Sequence, residues 1–351
     1  MQRRSFQFNV RHFHGITEWI ADVQPISNKS NKFLVLTKNS KIYELDTKNE
    51  VITELFSFDS EGIIFDENVS LLVSAKGELI AVYNTFGSHG IVIDVQTKSI
   101  IMRFNRDDYH SEQTVFPVAF TYHNKQILLI HGTKWNRLDI TNPLTHEVFS
   151  KRNDPKFELS ENKSTESEHY LDYFHGQLLV SPDYKWIVDN GWEWHPAGCV
   201  TGWSISEWLQ NRWESEDGKS KMNLWSWKED WNDPVCWISN NEIGLVGRHN
   251  SDFIDENEIF DDRCLFRKVD VSTGDVLNEF PIAPGNIYYD AYLFSCSKDV
   301  GIKIYDVNSG ELQYENKELI IDNYHHKSKE FIRYDNEQII IYRLIEEINI
   351  L

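Results

Sequence analysis

The chain has 351 residues, 55 Asp and Glu against 35 Lys and Arg, and a net charge of −20. A surface this acidic argues against DNA, RNA or an anionic membrane as the main partner, because each asks for a basic face. Aromatic residues make up 13% of the chain, with 12 Trp, which excludes a disordered polymer, and the length suffices for one large all-β domain.

The N-terminus, MQRRSFQFNVRHFHG, has arginines but neither an apolar stretch nor a small-residue cleavage site, so no signal peptide is expected. No run of 18 apolar residues predicts a membrane span. The stretch FQFNVRHF, from Phe6, alternates and reads as a strand. After it, one pattern recurs: alternating apolar residues, an Asp, a turn with Thr, Ser or Gly, and a second short apolar strand. It runs KIYELDTKNEVITELFSF from Lys41, GIVIDVQTKSIIMRF from Gly90 and WNRLDITNPLTHEVF from Trp135. It returns as LFRKVDVSTGDVLNEF from Leu265 and GIKIYDVNSGELQYE from Gly301.

The marker residues are Asp46, Asp94, Asp139, Asp270 and Asp306, with gaps of 48, 45, 131 and 36 residues. The long gap fits an additional unit near CVTGWSISEWL, from Cys199, that lacks the Asp. A seventh unit, EQIIIYRLIEEINIL, ends the chain from Glu337. An Asp at a strand end bonds to backbone N–H groups of the turn, and Gly274 and Gly310 supply positive φ. Upstream runs such as LIAVYNTF from Leu79, QILLIHGT from Gln126, IGLVGR from Ile243 and YLFSCS from Tyr292 add further strands to each unit. Four short strands per unit and about seven units predict an all-β, seven-bladed β-propeller of four-stranded blades spanning 1–351 as a single domain. The last unit ends one strand short, so the N-terminal strand is expected to join the last blade and close it.

SCSKDVGIKIYDVNSGEL, from Ser295, resembles the S-x-x-D-x-x-I-x-(I/L)-W-D-x-x-(S/T)-G stretch of WD40 repeats, with Tyr305 in place of the Trp. VDVSTGDVL, from Val269, is similar to its second half, and SPDYKWIVD, from Ser181, resembles the S-P-D-G opening of bacterial propeller repeats. The resemblance implies a diverged, WD40-like bacterial propeller in which Asp299 helps fix an inner hairpin as a structural residue. Gly-His pairs that usually open WD40 repeats are absent.

Three insertions break the rhythm, at about 150–170, 209–223 and 250–263. The third carries Asp252, Asp255, Glu256, Glu258, Asp261 and Asp262 without one Lys or Arg between them. Ten of the 12 tryptophans fall between Trp186 and Trp237. In GWEWHP, alternation points Trp192 and Trp194 one way and Glu193 and His195 the other. Such indoles pack between blades, or they form an exposed aromatic surface suited to gripping a protein.

Chemistry finds little support. His195 lies near Glu193, Asp189 and Asp183, yet no nucleophile elbow accompanies it. His12 with His14, and His325 with His326, lack a third ligand at fixed spacing. The acidic insertion lacks the EF-hand frame, and no phosphate-binding glycine loop occurs, so neither metal nor cofactor is expected. Cys199, Cys236, Cys264 and Cys296, separated by 37, 28 and 32 residues, form no metal or disulfide framework and fit a reducing cytoplasm as buried free thiols.

The expected function is that of a non-catalytic cytoplasmic interaction module, a monomer or part of a hetero-complex. Its partner is another protein of basic character, in the manner of an inhibitor or immunity protein. Trp192, Trp194, His195, Trp208, Trp213 and Trp231 would anchor the partner and the acids of the third insertion would steer it. The rival expectations are a hydrolase or lyase with His195 and Asp189 in the channel, and a carbohydrate- or ligand-binding propeller with parallel exposed indoles.

Overall fold

Period-two alternation yields strands, and the strands follow one another as antiparallel meanders. The computed structural model describes residues 2–60, 62–152, 169–194, 197–228, 231–248, 264–335 and 338–350. In the first blade, Ile20–Pro25, Lys32–Thr37, Lys41–Asp46 and Val51–Ser57 pair in chain order. The same order repeats through residues 69–105, 118–141, 174–228, 235–281 and 286–316. The last blade orders Asn323–His325, Glu330–Asp335 and Gln338–Ile350, and then takes Gln2–Phe13 as its outer strand. That register runs unbroken from Gln2 opposite Ile350 to Phe13 opposite Ile339. The chain is thus a seven-bladed β-propeller, closed by its N-terminal strand as its alternation implied.

The third blade departs from the expected four strands. Val118–His123, Gln126–Lys134 and Arg137–Thr141 form its sheet, and its fourth strand shrinks to a single bridge between Thr141 and Val148. The reason is local. Ser150 Oγ accepts the Ile140 N–H at 2.8 Å, so a side chain takes a donor that a continuing strand would have used.

Five outer hairpins share one turn. Asp46 accepts the N–H groups of Lys48 and Asn49, Asp94 that of Thr97, Asp270 that of Ser272, and Asp306 those of Asn308 and Ser309. In the third blade this role belongs to Asn142, which accepts from Leu144 and Thr145. Asp139, expected as the marker there, lies three residues earlier and holds Ser150 and Arg152 instead. The fourth residue after each marker has positive φ: Glu50, Lys98, His146, Gly274 and Gly310. Asp299 is likewise no hairpin anchor. It is exposed and makes no hydrogen bond among the described residues, while Ser297 Oγ accepts the Val300 N–H. Serines do the same in two other inner hairpins, where Ser74 Oγ takes the Leu79 N–H and Ser181 Oγ the Trp186 N–H.

The core divides between two compact units. One comprises residues 1–85, 89–103 and 279–351, with apolar clusters around Ile80, Val82 and Ile93, around Phe294 and Phe331, and around Val35 and Ile341. The other comprises residues 86–88 and 104–278, with clusters around Ile130, Ile187 and Trp203, and around Val200, Trp225 and Leu245. Among the described residues no helix is long and apolar enough to cross a membrane.

Candidate functional site

Seven rings from four segments meet within the second unit. Tyr109 and His110 come from residues 106–117, which lead into the third blade, and Trp135 from that blade's inner turn. Phe174, Trp192 and Trp194 come from the fourth blade, and Trp231 from the connection that follows it. Phe174 and Trp192 stack at 3.8 Å and 6°. Trp231 lies on Trp192 at 5.1 Å and 21°, and Trp135 on Phe174 at 4.5 Å. Trp194 lies 6.0 Å from both Trp192 and Phe174, at 29° and 28°, so alternation placed the two indoles on one side correctly. Tyr109 is near-parallel to Phe174 at 5.8 Å, and His110 packs 5.4 Å from Trp194.

The tier beneath is fixed by hydrogen bonds. Trp192 is buried and donates its indole N–H to Thr114 Oγ1 at 2.9 Å, and Trp231 donates to the Gln113 carbonyl at 3.0 Å. The 106–117 segment that supplies both acceptors is itself clamped by Arg106. That buried guanidinium donates to the carbonyls of Gly87, Ser111 and Thr114 and packs over Phe116. Burial lowers its pKa to about 10, which leaves it charged at neutral pH. Above this tier Tyr109 is 50% and Trp194 48% exposed.

Gly191, immediately before Trp192, makes the stack possible. A Cβ there would meet the Phe174 carbonyl at 2.1 Å and the Tyr173 hydroxyl at 2.6 Å. Without it, Tyr173 reaches through to donate to the carbonyls of Asp189 and Cys199 and accepts the Gly191 N–H. Anchoring Tyr173 sets Phe174, its neighbour, face to face with Trp192.

The expected anchors therefore separate. Trp192, Trp194 and Trp231 belong to one stack. Trp208 is no surface anchor: it is fully buried, edge-on to Trp203 at 5.6 Å, because the short helix Ile205–Trp208 turns its apolar side onto the blade core. Trp213 is half-buried elsewhere, stacked on His169 at 4.5 Å and flanked by Arg152. His195, Asp252, Asp255, Glu256, Glu258, Asp261 and Asp262 lie outside the described residues. Tyr109, His110, Trp135 and Phe174 were missed, since they sit in segments of ordinary composition away from the dense run of tryptophans.

Asp189 is sealed from solvent. Its carboxylate takes His175 Nδ1 at 2.5 Å and the Gly176 N–H at 2.9 Å, and both side chains of that pair are fully buried. None of the four cysteines forms a disulfide. Cys199 and Cys296 are buried as expected, while Cys236 and Cys264 are only half-buried. Burial pushes the Cys199 thiol up to about 12, so it is no nucleophile at neutral pH. Among the described residues, no three His, Cys, Asp or Glu side chains are placed to hold a metal ion.

No family model matches the chain, and no curated protein does. Its class is defined by its own architecture, a seven-bladed β-propeller with a layered aromatic stack on one unit.

Proposed function

We propose that this propeller is a non-catalytic interaction module, built of diverged WD40-like repeats, that holds a basic protein partner in the manner of an inhibitor or immunity protein. The observation that carries the reading is the exposure of Tyr109 and Trp194 on a tier already locked by hydrogen bonds. Large rings held rigid before binding lose little conformational entropy on contact, which is what a protein-binding hot spot needs. A carboxylate borders them, with Glu112 3.9 Å from His110. Four cysteines without a disulfide suit a reducing cytoplasmic compartment. The burial of Asp189 against His175 speaks against the hydrolase or lyase reading, because a general base must reach its substrate.

The test is retention of a partner from host lysate, followed by its affinity for purified variants. Tyr109→Ala with Trp194→Ala is expected to weaken binding at least tenfold, since hot-spot truncations cost about 2 kcal/mol or more. Trp19→Ala removes an indole 56% exposed on the other unit and should change nothing. Equal loss from both variants, or from neither, defeats the proposal.

A further inference from the structure

We propose that the exposed tier of the aromatic stack, Tyr109 and Trp194, takes an arginine side chain of the partner, whose guanidinium lies flat on the rings. The proposal rests on the protein-binding reading and names the chemistry of its contact. The partner is then recognised at one side chain as well as drawn by long-range charge.

Other rings of the same unit already carry a cation of the chain itself. Arg106 lies over Phe116 at 4.9 Å, Arg152 over Trp213 at 5.4 Å, Lys221 over Tyr173 at 5.4 Å and Arg267 over Trp225 at 4.3 Å. In the other unit, the exposed Trp19 has Lys38 5.5 Å from its ring centre. Among the described residues no Lys or Arg lies over Tyr109 or Trp194, although about half of each is exposed. The Tyr109 hydroxyl and the Trp194 indole N–H make no hydrogen bond there either. These two rings are open to a cation supplied from outside.

Ring orientation favours arginine over lysine. Tyr109 lies at 21° and Trp194 at 28° to Phe174. A planar guanidinium laid on either ring continues that stack and keeps its N–H groups free to donate sideways. A compact, strongly hydrated ammonium does neither. Acceptors for those donors lie on the segment that carries Tyr109, where Asp108 and Glu112 are both exposed. The Asp108 carboxylate has no hydrogen bond or ion pair among the described residues. Glu112 Oε1 faces His110 Nδ1 at 3.9 Å and takes the Gln113 amide at 3.4 Å, which leaves its second oxygen open. The chain's own cations do not fill these places. Arg106 lies in the field of Glu112 but spends its N–H groups on carbonyls, and Arg106 and Lys134 both act on the half-buried Asp107. Asp107, Asp108 and Glu112 thus outnumber Arg106 and Lys134 beside the rings, which suits a cationic guest.

NMR titration of the full chain with three blocked tripeptides tests this: glycine–arginine–glycine and its lysine and citrulline counterparts. Citrulline keeps the shape of arginine without its charge. The readouts are the Trp194 indole N–H resonance, assigned with Trp194→Phe, and the upfield ring-current shift of the peptide's side-chain methylenes. The arginine peptide should shift both saturably, and the citrulline and lysine peptides should bind at least two- to fivefold more weakly. Asp108→Asn with Glu112→Gln should weaken the arginine peptide by a similar factor and leave the citrulline peptide unchanged. Both carboxylates are exposed, and a matching melting temperature shows that the variant is folded. Trp194→Ala should abolish the ring-current shift, and Trp19→Ala should leave it intact. Citrulline or lysine binding as tightly as arginine, no saturable shift at millimolar peptide, or unchanged arginine affinity in the folded carboxylate variant would each overturn the proposal. So would tighter binding of a phenylalanine tripeptide, which would assign the rings an apolar guest. If partner retention still depends on Tyr109 and Trp194 after such a result, the interaction module stands without the arginine, and if it does not, that reading falls as well.

Discussion

A single residue position shows how a repeat tolerates poor local chemistry. The five outer turns demand positive φ at their fourth residue after the marker, and glycine fills it only at Gly274 and Gly310. Glu50, Lys98 and His146 adopt φ of 56°, 57° and 60° there. A side chain in that region costs about 1–2 kcal/mol, partly offset by the chain entropy that glycine would lose on folding. Lys98 is exposed, so nothing else depends on it. Lys98→Gly should stabilise the protein by about 0.5–1 kcal/mol, read as a higher denaturant midpoint with an unchanged slope. Gly310→Ala should do the opposite and more strongly. It adds the backbone cost, and its Cβ would meet the Phe280 ring at 2.6 Å. A neutral or destabilising Lys98→Gly would show that the turn is not what strains this position.

At the scale of elements, Arg152 does for the third blade what a fourth strand does elsewhere. It joins Asp139 on the third strand to Glu216 on the short helix Glu214–Asp217, and its side chain has no exposure. Arg152→Leu leaves two nearly buried carboxylates without their cation, which typically costs 3–5 kcal/mol. Adding Asp139→Asn and Glu216→Gln removes those charges and should restore most of the loss. A single variant as stable as the wild type in thermal unfolding would mean that solvent relieves both carboxylates. The same blade marks the limit of legibility. Hairpins announced themselves through period two and an Asp at the turn, and the short last unit foretold the N-terminal strand. In RLDITN the pattern selected Asp139, because it too ends an alternating run, whereas the turn is made by Asn142. The aromatic site was half legible. Trp192, Trp194 and Trp231 stood out by density, but the same run holds Trp203, Trp208 and Trp227, which are core. Indoles that bury and indoles that present are the same residue type, and only three-dimensional packing separates them. Tyr109 and His110 meet the stack from some 80 residues upstream, a distance that no periodicity spans.

For the molecule as a whole, charge governs encounter more than affinity. At −20 the chain repels other acidic macromolecules at long range and draws basic ones, while the proposed contact through Tyr109 and Trp194 would be little affected by charge screening. These two contributions separate in kinetics. Salt at about 0.15 M screens beyond about 8 Å, which reaches the long-range field but not stacked rings in contact. The association rate of the purified partner should therefore fall by about tenfold or more between low and high salt, with the dissociation rate nearly constant. Tyr109→Ala with Trp194→Ala should show the reverse, a faster dissociation and an association rate that keeps its salt dependence. Stopped-flow or surface-binding kinetics over a salt series reads both. An association rate indifferent to salt would remove the basic partner from the proposal while leaving the aromatic contact in place. A variant that slows association without hastening dissociation would instead mean that the rings guide encounter rather than hold the complex.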